Sequence, residues 1–274
     1  MKRILKKIIK QILPPILFNL FRRRKIEQTK YGWFGNYQNW IEANKDCTGY
    51  DSQIIAEKVK MALLKVKNGD AIYERDSVLF DSIQYSWPLL SMLLRISFEQ
   101  GGRLHLVDFG GSLGTTYYQN RDFLSIVSDL KWNIVEQQHY VNIGKVYFED
   151  KQLKFYYSID ECLANDYCSL LLLSSVIQYL EFPFSFLENI KKNNFEYIIF
   201  DRTAFIDSSE HIITIQLVPP EIYDASYPCW YFNEVQLLDI LLIEYDLIYS
   251  FPSIDKSNID KSYFKGFVLK KKKC

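Results

Sequence analysis

The stretch that decides the fold is Leu104–Thr115, which reads LHLVDFGGSLGT. An apolar run ends at Asp108, and a glycine-rich turn follows before the sequence takes on a helical pattern. A buried parallel strand commonly ends in this way where an α/β sheet binds a nucleotide, because glycine lets the backbone approach the ligand closely. The stretch therefore predicts an α/β sheet with a cofactor site in the middle of the chain.

Three regions are arranged around this turn. We expect a basic amphipathic segment in residues 1–30, a helical cap in residues 31–100, and a cofactor-binding α/β domain in residues 101–274 with an insertion at 204–231. Strand and helix patterns alternate from residue 103 onward, which predicts βαβ units and a parallel sheet. The seven predicted strands are Leu104–Phe109, Trp132–Glu136, Leu153–Tyr157, Leu170–Ser174, Tyr197–Asp201, Leu247–Phe251 and Phe264–Leu269.

The register of the glycine turn indicates which cofactor it binds. A dinucleotide fingerprint, GxGxxG, starting at Gly111 would need a second glycine at position 113, which is a leucine. The D-x-G-x-G-x-G form used for S-adenosylmethionine fits better, with Ser112 in place of the middle glycine. The predicted cofactor-binding residues of the turn are Asp108, Gly110, Gly111, Ser112 and Gly114.

Two further strand ends supply candidate cofactor contacts. Glu136 ends the second predicted strand, next to Gln137, and its carboxylate can accept both hydroxyls of a ribose. The same contact would serve NAD, and a solvated surface acid is the alternative. Ser174 and Ser175 follow the fourth predicted strand and can hold the amino acid portion of the cofactor, although an ordinary helix cap would have the same residues.

Short motifs along residues 31–270 carry a family resemblance. They include Trp33-x-Gly35-x-Tyr37, Tyr73–Ser77, Gln84–Pro88, Val107–Gly114, Trp132–Gln137, Leu173–Leu180, Asp201–Thr203 and Val218–Tyr223. On these motifs the chain resembles a family of bacterial methyltransferases related to the class I enzymes that use S-adenosylmethionine. The resemblance implies a seven-stranded, mostly parallel Rossmann-like sheet with methyl transfer as its activity. It also implies a sugar or a surface-polysaccharide precursor as the acceptor.

Transfer of a methyl group to a hydroxyl also needs a base that removes the proton. His139 is the first candidate, because histidine titrates near neutral pH, and Glu74 and Asp76 in the cap are rivals. The alternative for His139 is a residue at a helix start with no catalytic task.

Candidate contacts to the acceptor come from the cap and from the later strand ends. Arg75 suits a phosphate or a carboxylate, although an ion pair with a neighbouring acid is the alternative. The remaining candidates are Tyr85 and Trp87 as aromatic walls, and Gln178, Asp201 and Arg202 at the rim of the sheet. The three histidines are scattered and the five cysteines form no C-x-x-C pair, so the sequence predicts no metal site and a reduced, cytoplasmic protein.

Two other functions remain open at this point. A nicotinamide oxidoreductase would share the α/β sheet and the acid at Glu136, but the missing GxGxxG argues against it. A protein that binds S-adenosylmethionine or a partner without catalysis is the main alternative, because Ser112 departs from the glycine pattern.

Charge is unevenly distributed along the chain, although the formal net charge is zero. Residues 1–25 contain nine Lys or Arg and no acid, and Lys270–Lys273 adds four more bases. The other twenty bases lie among all 33 acids, so the body of the chain is acidic. An acidic body argues against nucleic-acid binding, which depends on neutralising phosphates.

The basic residues of the N-terminal segment alternate with an apolar helical stripe from Ile4 to Leu13. This pattern predicts a helix that lies on the anionic inner face of a membrane. A helix docked on the protein itself or on a subunit is the alternative.

The membrane hypothesis makes a direct prediction. We expect salt-sensitive binding of the full chain to anionic lipid vesicles, and loss of that binding when residues 1–25 are deleted. Vesicle co-sedimentation measures both, and unchanged binding after the deletion would contradict the hypothesis.

Overall fold

The computed structural model describes residues 30–49 and 52–273. The predicted membrane-binding segment lies outside the described residues. No helix within the described part of the chain is long and apolar enough to cross a membrane.

A seven-stranded sheet forms the centre of the protein. Its strands are β4 (Arg103–Phe109), β5 (Asp129–Val135), β6 (Leu153–Tyr156), β7 (Leu170–Ser174), β8 (Tyr197–Ile206), β11 (Tyr245–Pro252) and β12 (Ser262–Lys271). They lie in the order β11-β12-β8-β7-β4-β5-β6. Pairing is parallel from β8 through β7, β4 and β5 to β6, and β12 is antiparallel to both of its neighbours, β8 and β11. The expected seven-stranded, mostly parallel sheet is confirmed, and each of its strands was predicted.

Helices cover both faces of this sheet. They are α1 (Trp40–Lys45), α2 (Ser52–Asn68), α3 (Trp87–Glu99), α4 (Thr115–Leu124), α5 (Gln138–Tyr147), α6 (Ile159–Asn165), α7 (Pro183–Ile190) and α8 (Glu234–Leu242). Apolar residues of α2 to α5 share one core with one face of the sheet, and those of α6 to α8 share a second core with the other. The alternation within β4 explains the two cores, because Leu106 belongs to the first and Val107 to the second.

Two smaller sheets lie outside the main one. β1 (Gly32–Tyr37), β9 (Ile212–Leu217) and β10 (Ser226–Tyr231) form an antiparallel sheet with β9 in its centre. β2 (Tyr73–Arg75) and β3 (Val78–Phe80) form a hairpin. The cap region and the insertion are therefore joined by backbone pairing between β1 and β9, which the sequence patterns did not predict.

Candidate active site

A cavity of about 750 Å³ opens at the carboxyl ends of the parallel strands. Its lining includes the residues that follow β4, β5 and β7, together with residues of the hairpin and of the three-stranded sheet. The chain leaves β4 towards β5 and β6 and then returns to place β7 on the other side of β4. The cavity therefore lies at the switch point of the sheet, where open α/β sheets bind ligands.

The turn after β4 is packed so closely that a Cβ atom at Gly110 or Gly111 would collide with a neighbouring side chain. Gly110 has a φ of +73°, and a Cβ atom there would lie 2.3 Å from Cγ2 of Val176 in the loop after β7. Gly114 caps α4 with a φ of +104° and does not itself line the cavity. A Cβ atom on Gly111 would lie 2.6 Å from the carboxyl group of Asp108. The turn is thus packed closely on both sides.

Ser112 adopts the conformation that a glycine would have in its place. Its φ is +55°, in the left-handed region that serine seldom occupies. Its backbone N–H donates to the carboxylate of Glu136, which lines the same cavity. Ser112 therefore takes the left-handed conformation for which glycine is favoured, and the backbone of the turn is kept.

Left-handed backbone conformations are concentrated around the cavity. Four non-glycine residues with positive φ line it: Asp76, Ser112, Ser175 and Arg202. Each such position costs about 1–2 kcal/mol, and strained residues of this kind cluster where a ligand is held. Three of the four follow or lie in strands that meet at the switch point.

Glu136 and Asp108 are the acids that line the cavity at the carboxyl ends of β5 and β4. Glu136 accepts a hydrogen bond of 2.6 Å from the backbone N–H of Gln137; burial raises the pKa of Glu136, and the backbone N–H groups of Gln137 and Ser112 oppose that shift. Asp108 is buried and accepts a 2.9 Å hydrogen bond from Nε1 of Trp132. Burial raises the pKa of Asp108 to about 7, although the Trp132 hydrogen bond lowers it.

The loop after β7 forms the opposite wall. The Ser174 hydroxyl donates to Asp201 at 2.9 Å, so its proton is already used. The Ser175 hydroxyl instead accepts from Nε2 of Gln178 at 3.2 Å, which leaves its own proton free to donate to a ligand. Gln178 is fully buried and also donates to the backbone oxygen of Arg202 at 3.1 Å. Gln178 therefore fixes the left-handed residue after β7, Ser175, relative to the left-handed residue of β8, Arg202.

Arg202 turns towards Asp255, which follows β11. Its Nε donates to the Asp255 carboxylate at 2.8 Å, and a second guanidinium nitrogen does so at 3.4 Å. Burial opposes ionisation of Asp255, but the charge and hydrogen bonds of Arg202, with a hydrogen bond from Ser253, hold the pKa of Asp255 below its ordinary value. The pair stays ionised within the cavity wall.

The hairpin brings its two acids to different places. Asp76 lines the cavity, next to Arg75. Glu74 is fully buried behind Thr115, whose hydroxyl donates to it, and it accepts a 3.2 Å hydrogen bond from the N–H of Ser77. Burial raises the pKa of Glu74 to about 7.

Most of the residues predicted from the sequence meet at this cavity. Those that line it are Arg75, Asp76, Asp108, Gly110, Gly111, Ser112, Glu136, Gln137, Ser174, Ser175 and Arg202. Glu74, Gln178 and Asp201 lie directly behind lining residues, to which they are hydrogen bonded.

Besides these three residues and Gly114, the predicted residues His139, Tyr85 and Trp87 are not among those that line the cavity. The His139 ring lies 4.7 Å from the ring of Tyr140 in the first turn of α5. Tyr85 and Trp87 pack on each other and on Phe123, and more than half of Trp87 is exposed.

The sequence did not single out several other residues of the lining. Tyr179, Tyr223 and Tyr227 form one aromatic wall, and Asp255 holds Arg202. The tyrosines of the insertion were a signal for Tyr223 and Tyr227, and Tyr179 lies in the motif Leu173–Leu180. Asp255 had none, because it lies in a polar loop far from any motif.

Comparison with known proteins gives a likeness in structure but none in sequence. No family model matches the chain, and no curated protein matches it. The N-terminal domain of EvdMO1 with S-adenosylhomocysteine (SAH) bound aligns with a TM-score of 0.49 and 9% identity, over 82% of this chain and 100% of that one. Magnesium protoporphyrin IX methyltransferase from Synechocystis PCC 6803 with bound SAH gives 0.45 and 11%, over 79% and 100%.

A third solved structure is the 1,6-didemethyltoxoflavin-N1-methyltransferase of Burkholderia thailandensis. It aligns with a TM-score of 0.42 and 10% identity, over 83% of this chain and 93% of that one. The assignment of the fold rests on the strand order of the sheet, with its single antiparallel strand β12. The chain has the fold of the class I methyltransferases.

The buried carboxyl group of Glu74 predicts a specific pH dependence of stability. Because its pKa rises from 4.5 unfolded to about 7 folded, its contribution is fully present below pH 4.5 and is lost as the pH rises through 7. The loss amounts to about 3 kcal/mol at most. Glu74→Gln should therefore unfold at higher urea concentration than the unsubstituted protein at pH 8, and the difference should vanish near pH 4.5.

Glu210→Gln, at an exposed position, is the matched control and should leave the pH profile unchanged. Equal stability of Glu74→Gln and the unsubstituted protein at both pH values would show that the buried carboxyl group does not titrate in this range.

Proposed function

We propose that the protein is an S-adenosylmethionine-dependent methyltransferase that methylates a hydroxyl group of a sugar-containing small molecule. The observation that carries the proposal is the joint lining of one switch-point cavity by the glycine turn, Glu136 and Ser175. The glycine turn would bring its backbone close to the cofactor. Glu136 would accept hydrogen bonds from the ribose hydroxyls, and Ser175 would donate one to the cofactor's carboxylate.

The residues present fit this cofactor in shape and in donor set. Gly110 brings the turn after β4 against the loop after β7, so that both loops border the same space. Glu136 is held by two backbone N–H groups in a fixed orientation and has acceptor capacity left for hydroxyl protons. The Ser175 hydroxyl has its proton free, as described above.

Bound S-adenosylmethionine would supply a methyl group that is already activated. The protein then has two tasks, which are to align the acceptor and to remove its proton. We assign the second task to Asp76, because it is the one of the three candidate bases that lines the cavity. Glu74 lies behind Thr115 with both carboxyl oxygens hydrogen bonded, and His139 is outside the lining.

A sugar fits the part of the cavity lined by the three tyrosines and the Arg202–Asp255 pair, which we call the acceptor end. Tyr179, Tyr223 and Tyr227 lie together there, with the Tyr179 and Tyr227 rings 5.3 Å apart and edge to face. The Arg202–Asp255 pair places a donor fork beside carboxylate acceptors, the combination that neighbouring sugar hydroxyls need. A precursor of a surface polysaccharide would be such an acceptor.

Calorimetric titration tests the cofactor assignment. SAH should bind and NAD should not, and Glu136→Gln should weaken SAH binding by about tenfold because a charge-assisted hydrogen bond is lost. Glu188→Gln, an exposed acid on α7, is the matched control. Binding of NAD without binding of SAH would refute the proposal.

The base is tested by Asp76→Asn, which keeps the size of the side chain. Transfer of labelled methyl groups to a panel of sugars and sugar phosphates should fall by about 10²–10⁴-fold. The affinity for SAH should stay within about twofold, since Asp76 is placed at the acceptor. Asp81→Asn, at an exposed position shortly after the hairpin, is the control, and full turnover by Asp76→Asn would remove it as the base.

A further inference from the structure

The cavity is divided by charge. At the cofactor end, the lining residues at the carboxyl ends of β4 and β5 include two carboxyl groups, Asp108 and Glu136. Asp201 lies behind Ser174 and is close enough to contribute to the raised pKa of Asp108. None of the described residues that line this end carries a positive charge.

The cations of the described lining belong instead to the hairpin, to β8 and to the loop after β11, which line the acceptor end. Arg75, Arg202 and Lys256 line it, with Asp76 and Asp255 as the only carboxylates among the described lining residues there. These groups lie close together, because the charge of Arg75 helps to lower the pKa of Asp255, and that of Asp76 helps to raise the pKa of Arg202. The acceptor end therefore has an excess of positive charge.

Two of these cations are available to a ligand. Arg202 uses its guanidinium on Asp255. Neither Arg75 nor Lys256 forms an ion pair with a carboxylate of the described residues. Arg75 is half-buried with its guanidinium 5.9 Å from the centre of the Phe80 ring, and Lys256 is exposed at the rim. A cationic group that forms no ion pair and lies beside an aromatic cavity is suited to an anionic ligand.

The aromatic wall lies at the same end of the cavity. The Tyr179 hydroxyl donates to Gln216 at 2.8 Å, and the hydroxyls of Tyr223 and Tyr227 are 3.4 Å apart. The charge of Asp76 contributes to the raised pKa of both Tyr179 and Tyr227, so the proposed base is near this wall. A ring packed on the tyrosines would thus lie near both the proposed base and the cations of the lining.

We propose that the acceptor is an anionic sugar whose phosphate or carboxylate group binds Arg75 and Lys256. This inference rests on the methyltransferase function proposed above. Binding of the anionic group at the rim holds the sugar ring against the tyrosines and directs a hydroxyl group towards Asp76. Neutral sugars lack this anchor and should bind more weakly.

The test uses the full chain saturated with SAH and measures binding by calorimetry. Inorganic pyrophosphate, glucose 1-phosphate, glucuronate and glucose are the probes. We expect pyrophosphate and at least one charged sugar to bind with a Kd of about 10 mM or lower, and glucose to bind at least about fivefold more weakly than that sugar. R75Q and K256Q should each weaken the binding of the charged probes by about fivefold, with R95Q and K192Q as exposed controls that leave it unchanged.

Each outcome of these titrations either supports the proposed anion site or overturns it. Tighter binding of glucose 1-phosphate assigns the site to phosphate, tighter binding of glucuronate assigns it to carboxylate, and either supports the proposal. Equal binding of charged and neutral sugars, no binding of any charged probe, or equal binding by the R75Q/K256Q double variant and the unsubstituted protein would overturn it.

Retained SAH affinity in R75Q and K256Q shows that the variants are folded. If SAH itself does not bind, the methyltransferase function fails. The same titrations without SAH then still decide whether the anion site exists.

Discussion

The contact between Gly110 and Val176 is the constraint on which the site depends. It closes the turn after β4 against the loop after β7, at a separation that no side chain at position 110 would allow. Because β5 and β6 lie on one side of this point and β7 and β8 on the other, both halves of the sheet border one cavity. A larger residue at position 110 would push the turn after β4 away from the loop after β7. The Glu136 carboxylate, which is bonded to the turn, and the Ser175 hydroxyl would then lie further apart.

This arrangement is costly, and the contacts around it are what maintain it. The left-handed residues around the cavity each carry a cost of about 1–2 kcal/mol, and the carboxyl groups of Asp108 and Glu74 are buried. Three of the four strained positions have a compensating bond: Ser112 donates to Glu136, and Gln178 binds both Ser175 and Arg202. Strain that is held in place by side-chain hydrogen bonds is typical of preorganised ligand sites rather than of loops free to relax.

The sequence predicted the central sheet well because its strands are short apolar runs, each ended by a polar or glycine-rich turn. The same turns lie at strand ends, so most of the predicted cofactor contacts line the cavity with them. The ends of strands were harder to predict: β8 continues to Ile206, five residues past its expected end, because pairing with β12 extends it.

Contacts that join distant parts of the chain left no local signal. β1 pairs with β9 across about 180 residues, with Trp33 opposite Gln216, and Asp255 reaches Arg202 from a loop after β11. Neither contact changes the periodicity of the residues that make it, so neither could be predicted from pattern alone. The choice between Glu74 and Asp76 as the proposed base depended on the same kind of information. Glu74 and Asp76 are two residues apart, yet their places in the hairpin leave one buried behind Thr115 and the other facing the cavity.

Under the proposed function, the charge pattern of the cavity suits both ligands. A sulfonium donor is positively charged at its reacting centre, so acids at the β4 and β5 ends would favour its binding, whereas cations there would oppose it. The anionic group of the proposed acceptor would be repelled by those acids and attracted by Arg75 and Lys256. Since charges of opposite sign would also orient the acceptor, the segregation would select one direction of binding as well as one class of ligand. With its anionic group on these two cations, the acceptor would present its sugar hydroxyls to the proposed base.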